Sequence, residues 1–150
     1  MSQCFTSNEP LDIALDVIDL LKELTDADKN LNQEDSNVLL KGLVDHLLLE
    51  LAVINMKRMN EAVTEEALGV FNTLSLFENL TEIEPSISEV LVERTEFYQW
   101  LLNRLQSPGF DDNKQYASEI LAITLQNSKG WISLCLFEVR SLQISLQQTV

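Results

Sequence analysis

The sequence predicts an all-α chain whose helices stack as repeats, and three observations carry that expectation. Only four glycines and three prolines interrupt 150 residues, apolar positions recur at helical spacing over most of the chain, and one helical pattern returns at a fixed offset. The length suits one domain with a real core, and 45% apolar content opposes disorder despite a net charge of −14.

The elements follow in order. Asn8 caps a helix with Pro10 in its first turn, and the pattern runs to about Thr25. A second helical region runs from Ser36 to about Met59, broken near Gly42 to Asp45, and Glu61 to Leu80 form a third helix. After Pro85, Ser86 and Glu89 make an S-x-x-E capping box that opens a fourth region ending near Gln106. "SPGFDD" is a turn, after which Asp111 or Asp112 caps a fifth helix to about Asn127. The composition then shifts. "GWISLCLFEVRSLQISLQQTV" holds one acid and one base against 23 acids and 9 bases before it, and its β-branched and aromatic residues suit strand as well as helix.

The repeat is visible at an offset of 53. Ala14, Leu15, Val17, Ile18 and Leu21 answer to Ala67, Leu68, Val70, Phe71 and Leu74, and a weaker copy, Ala117-x-x-Ile120-Leu121, follows 50 residues on. The regions between agree at the same offset, with Val38, Leu39 and Val44 matching Leu91, Val92 and Phe97. The unit is a shorter broken helix pair followed by a long helix, as in an armadillo or HEAT-type solenoid. The fold class expected is therefore an armadillo-type helical repeat stack, an α-solenoid fragment of about two and a half units over residues 8–128, followed by a tail over 129–150.

On the first long helix the positions Asp12, Asp16, Asp19, Glu23 and Asp26 form one narrow stripe, and apolar residues cover most of the circumference. The offset carries Asp12 onto Glu65, Asp16 onto Gly69, Asp19 onto Asn72 and Asp26 onto Asn79; the next step carries Glu65 onto Gln115 and Gly69 onto Glu119. Two readings stand. The stripe keeps the one free face soluble, or Asp12, Asp16, Asp19, Glu23, Glu65, Asn72 and Glu119 line an acidic groove for a basic partner segment.

Three stretches also carry a family resemblance: "VIDLLKELTDAD", "LVDHLLLELAVINMKRMNEAVTEEALGVFNTLSLFENLTEI" and "YQWLLNRLQSPGFDDNKQYASEILAITLQ". In order, over about residues 8–128, they resemble the beta-catenin-like family of nuclear, spliceosome-associated armadillo proteins; the tail after Lys129 does not match its pattern. The resemblance implies an armadillo fold, a nuclear location, no catalysis, and a scaffold role in pre-mRNA splicing. It further implies binding of basic, nuclear-localisation-like segments of splicing proteins. The family's members are much longer and this chain enters inside a repeat, so a truncated or alternatively spliced product with little autonomous function is the alternative expectation. The Trp-x-x-x-Asn pairs of importin-like grooves are not matched, since Trp100 and Asn103 have a different spacing.

Other function classes fare worse. Asp26, Asp28 and Asn30 imitate the start of a calcium loop, but Leu31 stands where Gly is needed and Asn37 where the bidentate Glu is needed. The net charge of −14 disfavours direct nucleic-acid binding and anionic membrane surfaces. No phosphate-binding loop, nucleophile elbow or metal spacing occurs, so no catalytic residue and no cofactor is expected. His46 reads as structural, Cys4 and Cys135 as free thiols of a reducing compartment, and Trp100 as core. Tyr98 and Tyr116 are open to packing or to a partner. An array without polar end units is also expected to self-associate through its ends, unless the tail folds back as a cap.

Overall fold

The computed structural model describes residues 11–26, 32–106, 108 and 112–126. The expected caps Asn8 and Asp111, the side chain of Asp112, calcium-loop positions 28, 30 and 31, both cysteines and the tail lie outside those residues. Among the described residues there are seven helices and no strand: α1 (Leu11–Thr25), α2 (Gln33–Asp45), α3 (Leu48–Arg58), α4 (Thr64–Ile83), α5 (Ile87–Arg94), α6 (Phe97–Gln106) and α7 (Asp112–Gln126). Two short pairs, α2–α3 and α5–α6, each precede a long helix. None of the described helices is long and apolar enough to cross a membrane.

Local chemistry sets most of the boundaries. Asn32 caps α2: its Oδ1 accepts the Asp35 N–H at 2.9 Å while its Nδ2 donates to Asp35 Oδ2 at 2.7 Å. The break between α2 and α3 falls at His46 and Leu47, later than the expected Gly42 to Asp45. Leu47 has φ 57°, the one non-glycine residue with positive φ among those described. That left-handed step turns the chain just before Leu48 and Leu49, which must enter the core. α4 begins three residues after the expected Glu61, because Asn60–Val63 forms a turn closed by the Val63 N–H on the Asn60 carbonyl at 2.9 Å. The capping box at Ser86 does not form. Ser86 has helical φ/ψ, which aims its hydroxyl away from the helix amides, and Ser88 Oγ instead donates to the Pro85 carbonyl at 2.6 Å. Thr95 separates α5 from α6, its hydroxyl accepting the Phe97 N–H at 3.1 Å.

The long helices form the spine. Asn72 Nδ2 reaches Asp19 Oδ1 at 3.1 Å and Asn79 Nδ2 reaches Thr25 Oγ1 at 3.3 Å, so α1 and α4 run parallel and side by side. Beyond α4, Phe71 meets Tyr116 edge to face at 5.1 Å between ring centroids and Glu78 pairs with Glu119, so α7 continues the parallel stack. α4 is thus buried on most sides, including Val70, Leu74, Phe77 and Leu80. Its buried Thr73 and Thr81 satisfy their hydroxyls on the carbonyls of Gly69 and Phe77, each at 2.8 Å.

The short pairs close the core. Phe97 packs edge-on against both Phe77, at 4.8 Å, and Tyr98, at 5.4 Å. Tyr98 is 1% exposed, so the open question about it resolves as packing. Its phenol bonds to Thr124 Oγ1, which itself donates to the Ile120 carbonyl, and burial pushes the Tyr98 pKa up to about 12. Trp100 is half-buried, with the Arg104 guanidinium 5.9 Å from its ring centroid. Arg104 also forks onto Glu61 at 2.7 and 2.8 Å, tying α6 to the turn before α4.

Candidate functional site

The parallel contact of α1 and α4 leaves a shallow groove between them. Its volume is about 250 Å³, with Leu15, Leu68 and Gly69 on its apolar side and Asp16, Asp19, Glu65 and Asn72 on its polar side. Helical spacing explains the grouping. Asp16 and Asp19 lie one turn apart on α1, as do Glu65, Gly69 and Asn72 on α4. Gly69 is needed for the close approach, since a Cβ there would lie 2.2 Å from Leu15 Cδ2 and 2.9 Å from Met59 Sδ. Asn72 is only 5% exposed and is held by Asp19, so it shapes the groove from below. Asp16, Asp19 and Glu65 are exposed.

Four of the seven expected residues, Asp16, Asp19, Glu65 and Asn72, therefore meet at one place. Asp12 is exposed on α1 outside the groove lining. Glu23 is half-buried and accepts from Lys22 Nζ at 3.4 Å. Glu119 lies on the other flank of α4, beside Glu78 and bonded by Gln115 Nε2 at 3.1 Å. The α4–α7 partners sit a helical turn or more short of the register that would set Glu119 against Gly69, because Phe71 and Tyr116 fix that contact.

The Glu78–Glu119 pair is the most perturbed electrostatic feature among the described residues. Burial, the hydrogen bond to Glu119 and the negative charges of Glu119 and Glu82 push Glu78 up to about 7. The hydrogen bonds from Glu78 and Gln115 hold Glu119 below the usual range. Below about pH 7 the two carboxyls thus share a proton, on the Glu78 side, where burial favours the neutral form. Nothing in the sequence marked this pair, which depends on the α4–α7 register. Leu15 and Leu68 were legible only as repeat-matched apolar positions; Leu68 is in fact 56% exposed and walls the groove.

Chemically the groove offers carboxylates beside an aliphatic wall. Carboxylates beside an aliphatic wall are the chemistry that suits a lysine or arginine side chain, with its apolar stem and charged head. Among the described residues no group of three or more His, Cys, Asp or Glu side chains is placed to hold a metal ion.

Residues 6–148 match the family described as "Catenin-beta-like, Arm-motif containing nuclear", a span that runs past Lys129. Human beta-catenin-like protein 1 is 43% identical over 141 residues, covering 91% of this chain and 24% of the human protein. The rat protein of the same name is 42% identical over 139 residues, with the same coverage. The beta-catenin-like protein 1 homolog of Schizosaccharomyces pombe is 42% identical over 125 residues, covering 82% of this chain and 22% of its own. The chain spans about a quarter of the length of these relatives. With the parallel stack of long helices and the intervening short pairs, the match establishes that the chain belongs to the beta-catenin-like family of armadillo-motif proteins.

Proposed function

We propose that the chain is a non-catalytic protein-interaction module of a nuclear armadillo-type scaffold in pre-mRNA splicing. Its α1–α4 groove holds a basic, nuclear-localisation-like segment of a splicing partner. The observation that carries this reading is the convergence of Asp16, Asp19 and Glu65 beside Leu15 and Leu68. Such a site suits a long basic side chain, whose stem is apolar and whose head is charged. The family's description as nuclear supports the location, and the resemblance supports the splicing context.

Attraction by solvated carboxylates is screened by salt, so affinity for a Lys/Arg-rich peptide falls steeply between about 50 and about 300 mM salt. Fluorescence anisotropy with such a peptide tests the site. Reversing Asp16 and Asp19 to Lys is expected to weaken binding by about tenfold. Reversing Asp111 and Asp112, the two cap candidates that the sequence offers for the last long helix, changes net charge equally and is expected to do much less. Equal losses at the two places would reduce the groove to a part of the general acidity.

A further inference from the structure

A second hollow lies where α1, α2 and α3 meet. It has a volume of about 420 Å³ and is walled by Leu21 of α1, by Val38, Leu39 and Leu43 of α2, and by Leu48 of α3, with His46 at the α2–α3 break on its rim. Val38 is 70% exposed, the largest exposure among the apolar side chains described as exposed. Gly42, in the interior of α2, also lines the hollow.

Gly42 has no structural reason to be glycine. Its φ is not in the left-handed range, and a Cβ added there meets nothing within 4 Å. Gly69 makes the contrast, because there a Cβ collides with Leu15 and Met59. A glycine inside a helix weakens it relative to alanine. What Gly42 provides is room. Around that room the exposed charges of α2 are mostly negative: Glu34 and Asp35 lie one turn before Val38, and Asp45 lies one turn after Lys41.

We propose that this hollow is a docking site for an amphipathic helical segment of a partner protein. One bulky aliphatic or aromatic side chain of that segment enters the space over Gly42. Basic residues flanking it on the partner meet Glu34, Asp35 and Asp45. The site goes beyond the α1–α4 reading: it is a separate hollow, and its anchor is apolar rather than charged. Apolar anchors at helical spacing are the usual means by which an amphipathic helix uses such a groove.

The test uses the full chain and two labelled Lys/Ala peptides of about 15 residues, long enough for several helical turns. One carries Phe at i, i+4 and i+7; the other has Ser at those places. The Phe peptide is expected to bind about tenfold more tightly than the Ser peptide, the scale of one well-buried apolar anchor. Gly42→Leu fills the hollow and abolishes that preference, with a melting temperature at or above that of the wild type. Val38→Asp, at an exposed position that leaves folding intact, has the same effect on binding. The reversal of Asp16 and Asp19 weakens both peptides alike and keeps the preference, which separates this site from the α1–α4 groove. A preference that survives Gly42→Leu and Val38→Asp would overturn the proposal. So would a wild type that prefers neither peptide while Gly42→Leu lowers its melting temperature, since the chain itself would then fill the hollow. A concentration-dependent dimer that Gly42→Leu dissociates would assign the hollow to a second copy and likewise overturn it.

Discussion

Asn72 donates its side-chain amide to Asp19 across 3.1 Å, and the two residues stand 53 positions apart, the offset at which the sequence repeats. Repeat-equivalent positions on adjacent long helices have become partners. A carboxylate left on α4 at this buried place would face Asp19 as a like charge; the amide converts the same position into a donor. The bond also fixes the register of α1 on α4, and so the position of Asp16 and Asp19 relative to Glu65.

The first prediction concerns this bond. Asn72→Ala is expected to cost about 1–2 kcal/mol, as the loss of a hydrogen bond to a charged acceptor plus a small buried void. Asp19→Ala is expected to cost a similar amount, because it leaves the buried Asn72 amide without its acceptor. A double-mutant cycle by urea melts should show coupling of about 0.5–1.5 kcal/mol. Additive losses would mean that the pair does not lock the register.

Gly69 supplies the second. Gly69→Ala gains helix propensity of about 1 kcal/mol but drives a methyl into Leu15 Cδ2 and Met59 Sδ, both far along flexible side chains. The two effects are expected to offset, leaving stability within about 1 kcal/mol of the wild type. Gly69→Val adds two branches into the same contact and should destabilise by about 2–3 kcal/mol. Leu15→Ala in the Gly69→Val background should recover part of that loss. An unrescued Gly69→Val would locate the strain elsewhere.

The third prediction follows from Leu47, which holds left-handed backbone with its side chain 53% exposed. Leu47→Gly removes the Cβ strain and loses little packing, at the cost of a more flexible unfolded chain. The net gain expected is about 0.5–1 kcal/mol, seen as a higher urea midpoint at unchanged slope. Leu47→Val, stiff at its Cβ, should lose stability at the same position. A loss on Leu47→Gly would show that the exposed leucine makes contacts that matter.

These positions show what the sequence could and could not reveal. The long helices and their order were legible because their apolar positions repeat at one offset, and that periodicity reflects the spine itself. The break between α2 and α3 was not, since it depends on a left-handed Leu47, a residue type that normally avoids that conformation. The stripe was legible as a pattern but not as a surface. At offset 53 it ran through Gly69 and Asn72, and both turn out to serve the α1–α4 contact, leaving Asp16, Asp19 and Glu65 as the groove's carboxylates. Glu119 went elsewhere because the aromatic contact of Phe71 and Tyr116 sets the α4–α7 register, and no periodicity encodes that.

The last prediction is a pH dependence at the α4–α7 contact. Glu78 has a pKa of about 7 in the folded chain against an ordinary value of 4.5. Between those values the folded chain keeps a proton that the unfolded chain releases, so this group's contribution to stability falls as pH rises from about 4.5 to about 7 and is flat above. Glu119 acts in the opposite sense and lower down: its depressed value contributes above the ordinary carboxylate range and is lost as acid protonates it in the folded state. The pair therefore favours the fold most in mildly acidic solution and less near pH 8. Glu78→Gln keeps a neutral donor toward Glu119 at every pH. Its melting temperature should match that of the wild type at about pH 5 and exceed it by about 1–3 °C at about pH 8, a modest gain because the site is partly solvated. The wild type's general loss of stability at high pH, driven by its net charge of −14, is nearly common to both chains and largely cancels in the difference. A variant that gains equally at both pH values, or gains more at pH 5, would show that Glu78 does not hold the shared proton.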